Sequence, residues 1–246
     1  MKIIQEGRGA RVPVLLGTNL DEIRYWSTIE ELPLESKPPA LLEKQVAAIV
    51  GDRASALVDT YQRADSEYGE AVIHLETDLL FRMTSIRMAE AIADLQPTYM
   101  YLFTYRSTSP WARYESAHSM EVPFVFGLID ELDSIDFIGR GPSRALLMEQ
   151  MQQAWIQFAR TGDPNHPGLP HWPRYERTRR ATMRKRPSTT RPDITRKQHT
   201  MLIRREATSF TLEDMPKRQQ RRTPKSTARN KLEPQLSIEA STSLLP

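Results

Sequence analysis

The sequence contains no cysteine and no long apolar run, and each absence limits what the chain can be. Without cysteine, disulfides, thiolate zinc sites and a cysteine nucleophile are all excluded. No apolar run approaches the roughly 20 residues that cross a bilayer, and the first residues lack the apolar core of a secretory signal peptide. We therefore expect neither a membrane span nor a signal peptide, and a cytoplasmic location is favoured.

Charge is distributed unevenly along the 246 residues, so the net charge of +3 describes neither part of the chain. Residues 177–246 contain 18 Lys and Arg against 6 Asp and Glu, a formal charge of +12. Residues 1–176 contain 16 basic and 25 acidic residues, a formal charge of −9. The basic segment has one aromatic residue, Phe210, and no sustained period of 2 or 3.6. We predict that residues 177–246 form a disordered basic tail, because such a composition buries too little apolar surface to offset chain entropy.

The acidic body alternates short apolar runs with longer amphipathic ones. Residues 12–16 and 99–105 have the composition of buried strands. Apolar residues recur at helical spacing in four segments, which are 41–50, 54–64, 72–93 and 147–158. Strands separated by long helices predict an α/β architecture with a mainly parallel sheet. Two strands are too few for a complete sheet, so we interpret residues 1–176 as part of a larger domain.

Two residues lie where α/β proteins carry their reactive groups, on loops just beyond the carboxyl ends of strands. Glu22 follows the first predicted strand, and His118 comes thirteen residues after the second. A carboxylate and a histidine on neighbouring loops can serve as the acid and base of a catalytic triad. The alternative is structural, because acidic residues after a strand commonly cap the next helix or turn and histidines are frequent packing residues.

The other histidines are interpreted as structural or solvated. His74 lies in a helical segment, His166 and His171 lie in a proline-rich loop, and His199 lies in the tail. No histidines and carboxylates have the spacing of a metal site. We therefore expect no metal.

Five segments of the body resemble, in the same order, segments of the type-B carboxylesterases, the family that includes para-nitrobenzyl esterases and cholinesterases. They are residues 12–22 for the acid-bearing segment, 77–82, 99–103, 117–127 for the histidine-bearing segment, and 155–165 with 172–175 for the C-terminal signature. Five ordered matches are far more specific than one short motif.

The resemblance implies an α/β-hydrolase fold and hydrolysis of a small-molecule carboxylic ester by a Ser-Glu-His triad, without a cofactor. It assigns Glu22 as the triad acid and His118 as the base. Glu121 matches a recurring family glutamate, and we expect it to hold the His118 loop in place. Ile23 stands where the family usually has glycine, which alters the turn but keeps the carboxylate.

The family's nucleophile is absent from this sequence. That serine lies in a Gly-x-Ser-x-Gly elbow, and none of the ten glycines brackets a serine at this spacing. The Gly-Gly segment that supplies oxyanion-hole amides is also absent. We therefore interpret residues 1–176 as the C-terminal part of a type-B domain, an incomplete α/β-hydrolase fold. We expect little or no activity from this chain alone unless an N-terminal esterase fragment supplies the serine.

The end of the resemblance coincides with the change in charge. Residues 180–183 begin a segment that in the family continues into a short strand, but here it passes into the basic residues 184–186. Our hypothesis is that the reading frame shifts near Met183.

Two other functions stay open. The chain can be a catalytically inactive binding or scaffold protein with an esterase-like fold. The other is binding of nucleic acid through the tail. The tail has the required positive charge, but it lacks interleaved aromatic residues and a recognisable nucleic-acid-binding fold. A solvated tail is therefore favoured over a nucleic-acid interface.

Overall fold

A computed structural model of the chain describes residues 8–29, 36–109 and 114–185, together with Ile4 and Glu6. Its strands form one parallel three-stranded sheet in the order β1 (Val14–Asn19), β2 (Thr98–Phe103) and β3 (Met183–Lys185). The first two are the predicted strands, with slightly different ends. Parallel pairing between β1 and β2 confirms the predicted sheet type.

Helices occupy most of the chain between the strands. They are α1 (Arg24–Ile29), α2 (Pro39–Val50), α3 (Ala54–Ala64), α4 (Tyr68–Thr77), α5 (Met83–Ile92), α6 (Val122–Phe126), α7 (Leu132–Ile138) and α8 (Ser143–Thr161). All four segments with helical spacing coincide with the longer helices, which are α2, α3, α4 with α5, and α8. None of the helices in the described part of the chain is both long and apolar enough to cross a membrane.

The described part of the crossover from β1 to β2 is mainly helical, as is usual for a pair of parallel strands. Helices α2, α3 and α4 pack around a shared apolar cluster that includes Leu42, Val58 and Leu75. The segment predicted as one long helix is divided into α4 and α5 by a π-helical turn at Asp78–Arg82. Such turns occur inside helices at functional sites, and this one begins one residue after the end of α4.

The central strand β2 is buried on both faces. Met100 packs against Ala89 of α5, whereas Phe103 joins an apolar cluster with Phe124 and Met151 from α6 and α8. A strand between two helical layers is expected to read as a continuous apolar run, which explains why the aromatic segment 99–103 shows no alternation.

The described structure continues nine residues beyond the boundary that the sequence placed after Glu176. The strand β3 pairs with β2 through Tyr101–Met183, Leu102–Arg184 and Phe103–Lys185. The preceding Arg180 donates to Glu90 of α5. Composition alone did not predict this strand. Three residues are too few to show an alternation of apolar and polar side chains, and they form a strand only by pairing with β2. The rest of the predicted tail, from 186 onward, lies outside the described residues.

Candidate active site

The paired ends of β1 and β2 bring two loops together. Asn19 and Phe103 are register partners at the carboxyl ends of the strands. The Phe103 carbonyl accepts from the backbone N–H of Leu20 (2.9 Å) and from the hydroxyl of Ser116 (3.0 Å). The loop after β2 therefore returns to the end of the sheet two residues before His118.

Glu22 and His118 are in direct contact. The Nδ1 atom of His118 lies 2.7 Å from Oε2 of Glu22. The other carboxylate oxygen of Glu22 accepts from the backbone N–H of Asn19 at 2.7 Å. An ionised carboxylate can only accept, so Nδ1 carries the proton and Nε2 of a neutral His118 is left as a proton acceptor.

The two side chains differ in exposure. The Glu22 side chain is buried, at 7% exposure, whereas 40% of the His118 side chain is exposed. Burial raises the pKa of Glu22, while the hydrogen bond from the Asn19 backbone and the neighbouring His118 act in the opposite direction. The buried carboxylate can therefore orient a histidine that is itself accessible.

Reciprocal bonds hold the two loops together beside this contact. Asp21 donates its backbone N–H to the Ser116 carbonyl (3.0 Å), and the Ser116 N–H donates to Oδ2 of Asp21 (3.2 Å). On the other side of Glu22, the backbone N–H of Ile23 donates to Oγ1 of Thr77 in α4 (3.2 Å). The Glu22 backbone is thus fixed on both sides by buried partners.

Asn19 links the acid to the histidine loop. Its side-chain amide donates to the Ala117 carbonyl at 2.7 Å and also to Oε2 of Glu121. Glu121 directly precedes α6 and also lies near enough to raise the pKa of Glu22. The sequence reasoning missed Asn19, although its place as the last residue of β1 was a usable signal.

Three aromatic rings surround His118. The ring centroids of Trp26, Phe81 and Tyr25 lie 4.9, 5.5 and 6.5 Å from the imidazole. Phe81 belongs to the π-helical turn, and its ring stacks on Trp26 at 5.9 Å. None of the three was predicted as a site residue, because their spacing does not show that they converge.

The histidines that the sequence reasoning set aside lie elsewhere. The Nε2 atom of His166 lies 3.2 Å from the Gln150 carbonyl, and His171 is exposed. His74 is mostly buried, and its Nε2 atom lies 3.6 Å from Oδ1 of Asp21. His199 lies outside the described residues. Across the described ranges, no three or more ligating side chains form a group that could hold a metal ion.

Known proteins resemble this chain in sequence and in fold. The sequence profile of the carboxylesterase family matches residues 1–203. This chain belongs to the carboxylesterase family. The resemblance to type-B carboxylesterases is thereby confirmed, and the solved relatives described next confirm the α/β-hydrolase fold.

Individual carboxylesterase relatives are considerably longer than this chain. It is 31% identical to the para-nitrobenzyl esterase of Bacillus subtilis (strain 168) over 184 residues, which cover 74% of this chain and 36% of that protein. It is 30% identical over 127 residues to the phenmedipham hydrolase of Pseudarthrobacter oxydans, which cover 51% of this chain and 26% of that protein. The solved structure of a thermophilic PNB esterase superposes with a TM-score of 0.65 and 29% identity, covering 80% of this chain and 40% of that one. The chain therefore spans well under half the length of these relatives.

Proposed function

We propose that this carboxylesterase-family chain supplies the acid and base of a serine ester hydrolase, with Glu22 as the acid and His118 as the base. The single observation that carries the proposal is the 2.7 Å contact between His118 Nδ1 and a buried Glu22 oxygen. This contact leaves Nε2 as the proton-accepting nitrogen of a partly exposed ring. A triad requires this tautomer and this orientation.

The nucleophile comes from outside these 246 residues in the proposed reaction. The sequence holds no Gly-x-Ser-x-Gly elbow, so the serine and the oxyanion donors would belong to an N-terminal esterase segment that associates with this chain. Nε2 of His118 takes the serine proton as the serine oxygen attacks the ester carbonyl, and returns it to the departing alkoxide. Water then hydrolyses the acyl-enzyme by the same proton transfers, releasing the carboxylic acid.

Glu22 has an electrostatic role in these steps. His118 becomes an imidazolium each time it accepts a proton, and the buried carboxylate at Nδ1 stabilises that charge. Asn19 and Glu121 hold the two loops at the required separation, since the Asn19 amide bridges Ala117 and Glu121. In this proposal Glu121 therefore acts by positioning and takes no proton.

The proposal is tested first by complementation. The full chain is mixed with the part of the Bacillus subtilis para-nitrobenzyl esterase that precedes the matched region, and hydrolysis of p-nitrophenyl acetate is measured. We expect turnover from the mixture and little from either part. His118→Ala should remove about 10³-fold or more of the turnover, and His171→Ala, an exposed histidine, serves as the control. Equal turnover by His118→Ala and the unaltered chain would overturn the proposal, and association without turnover would favour a scaffold.

A second measurement needs no partner. In the full chain labelled with 15N-histidine, NMR should show a slowly exchanging proton on Nδ1 of His118 that disappears in Glu22→Ala. Absence of this proton from the unaltered chain would contradict the proposed acid and base pair.

A further inference from the structure

A mostly buried histidine, His74, contacts the residue that precedes Glu22. His74 lies on α4, and only 13% of its side chain is exposed. Its Nε2 atom is 3.6 Å from Oδ1 of Asp21, whose side chain is fully buried. The consecutive carboxylates Asp21 and Glu22 thus each face a histidine, one inside the protein and one at its surface.

Both ring nitrogens of His74 face carboxylate oxygens. Nδ1 lies 3.0 Å from Oδ2 of Asp65 at the end of α3. Nε2 lies near both Asp21 and Glu70, the latter at 3.7 Å. A neutral imidazole has one N–H and would direct a lone pair at one of these carboxylates, whereas an imidazolium donates from both nitrogens.

The charged side chains near His74 also favour the imidazolium. The ring lies near the carboxylates of Asp65, which directly follows α3, of Glu70 in α4 and of Asp21 in the turn after β1. Arg24 of α1 pairs with Glu70. A protonated His74 would place a positive charge between Asp65 and the fully buried carboxylate of Asp21. Buried charges are stabilised when an opposite charge pairs with them.

Asp21 connects His74 to the loop that carries His118. While Oδ1 faces the imidazole, Oδ2 accepts from the backbone N–H of Ser116, two residues before His118. Three residues further along α4, Thr77 accepts from the backbone N–H of Ile23. Helix α4 therefore contacts the residues on both sides of Glu22, through His74 at the Asp21 side chain and through Thr77 at the Ile23 backbone.

We propose that His74 is a positioning residue whose imidazolium holds Asp21, and through Asp21 the two loops that carry Glu22 and His118. This role rests on the proposed function of those two residues. His74 acts through Asp21, so it is not a catalytic residue. Its effect is to limit how often the contact between Glu22 and His118 opens.

The charge of His74 can be measured directly. In the full chain labelled with 15N-histidine, the two ring nitrogens of His74 should both be protonated at pH 7.5, where an unperturbed histidine, with a pKa of about 6.5, is largely neutral. A single protonated nitrogen on His74 at this pH would overturn the proposal.

Its effect on the site is read from the Nδ1 proton of His118. His74→Gln should speed exchange of that proton with water about tenfold, equivalent to about 1.4 kcal/mol, and His74→Lys, which retains a positive charge, should restore part of the protection. His166→Gln is the matched control. If His74→Gln does not fold, Asp65→Asn leaves Asp21 intact and should also speed exchange.

The outcomes separate this inference from the proposed function. An Nδ1 proton on His118 that is protected in the unaltered chain and equally protected in the His74 and Asp65 variants would overturn the role of His74 alone. Absence of the proton from the unaltered chain would contradict the acid and base assignment, whereas the charge of His74 would still be measured independently.

Discussion

Two carboxylate–histidine pairs, built on adjacent residues, lie in contrasting surroundings. Glu22 contacts His118, whose side chain is 40% exposed, whereas Asp21 faces His74, whose side chain is 13% exposed. The residue types are nearly the same in both pairs. Burial, not residue type, therefore separates an accessible histidine from one that is mostly enclosed by the protein.

The largest effect that tests this comparison is expected from Asp21→Asn. The Asp21 side chain is fully buried and faces His74. Breaking the proposed charge pair at this site should lower the free energy of unfolding by about 3–5 kcal/mol, although Asp65 and Glu70 still face the ring. Urea denaturation followed by circular dichroism measures the loss. The control is Asp94→Asn, whose side chain is 69% exposed and paired with Arg177, and its effect should stay within about 0.5 kcal/mol. Similar losses in the two variants would show that the Asp21 pair is no more important than a surface pair.

An intermediate effect is expected from Thr77→Val, which tests the neutral contact of α4. Valine matches the shape of threonine but cannot accept from the buried backbone N–H of Ile23. The unfolding free energy should fall by about 1–3 kcal/mol, measured in the same way. Thr60→Val changes a threonine of α3 whose side-chain hydrogen bond to the Ala56 carbonyl is exposed to solvent, and it should have little effect. If Thr77→Val lowered the unfolding free energy as much as Asp21→Asn, the contact between Asp21 and His74 would contribute no more to stability than the neutral hydrogen bond of Thr77.

The smallest effect, and one of opposite sign, is expected from Glu22→Gln. Burial raises the pKa of Glu22 above its ordinary value of 4.5. A raised pKa means that folding favours the protonated form, so this contribution to stability is complete below about pH 4.5 and is lost as the pH rises through the folded-state pKa. At neutral pH the buried, ionised carboxylate of Glu22 therefore lowers the stability of the folded state. Glutamine, which carries no charge, should remove this destabilisation.

Thermal unfolding of Glu22→Gln against the unaltered chain checks the sign. The variant should be more stable at pH 7–8, and the difference should vanish towards pH 4. A variant that is less stable at pH 7 would show that the contact with His118 outweighs burial, and would make the two pairs alike in energy.

Most of the secondary structure was predictable because it follows local periodicity. The four segments with helical spacing became helices, and both predicted strands formed. The strand β3, which begins seven residues after Glu176, was not predicted. Three residues carry no measurable period, and their strand exists because β2 offers an edge for pairing.

The site was predictable in part. The positions of Glu22 and His118 after strands identified them as candidates, and the family resemblance assigned their roles. The rings of Trp26 and Phe81 were not predictable, since 55 residues of sequence separate positions that stack at 5.9 Å. The surroundings of His74 were missed for the same reason, because its partners Asp21 and Asp65 come from separate elements.

The sequence by itself determined the α/β class, the family and the absence of a Gly-x-Ser-x-Gly serine from these 246 residues, since each depends on local pattern or on residue identity. Only the tertiary structure decided which histidine meets which carboxylate, and which of the two pairs is buried. Hydrogen bonds and burial depend on distances between atoms that lie far apart along the chain, and those distances are set by how β1, β2 and α4 pack together.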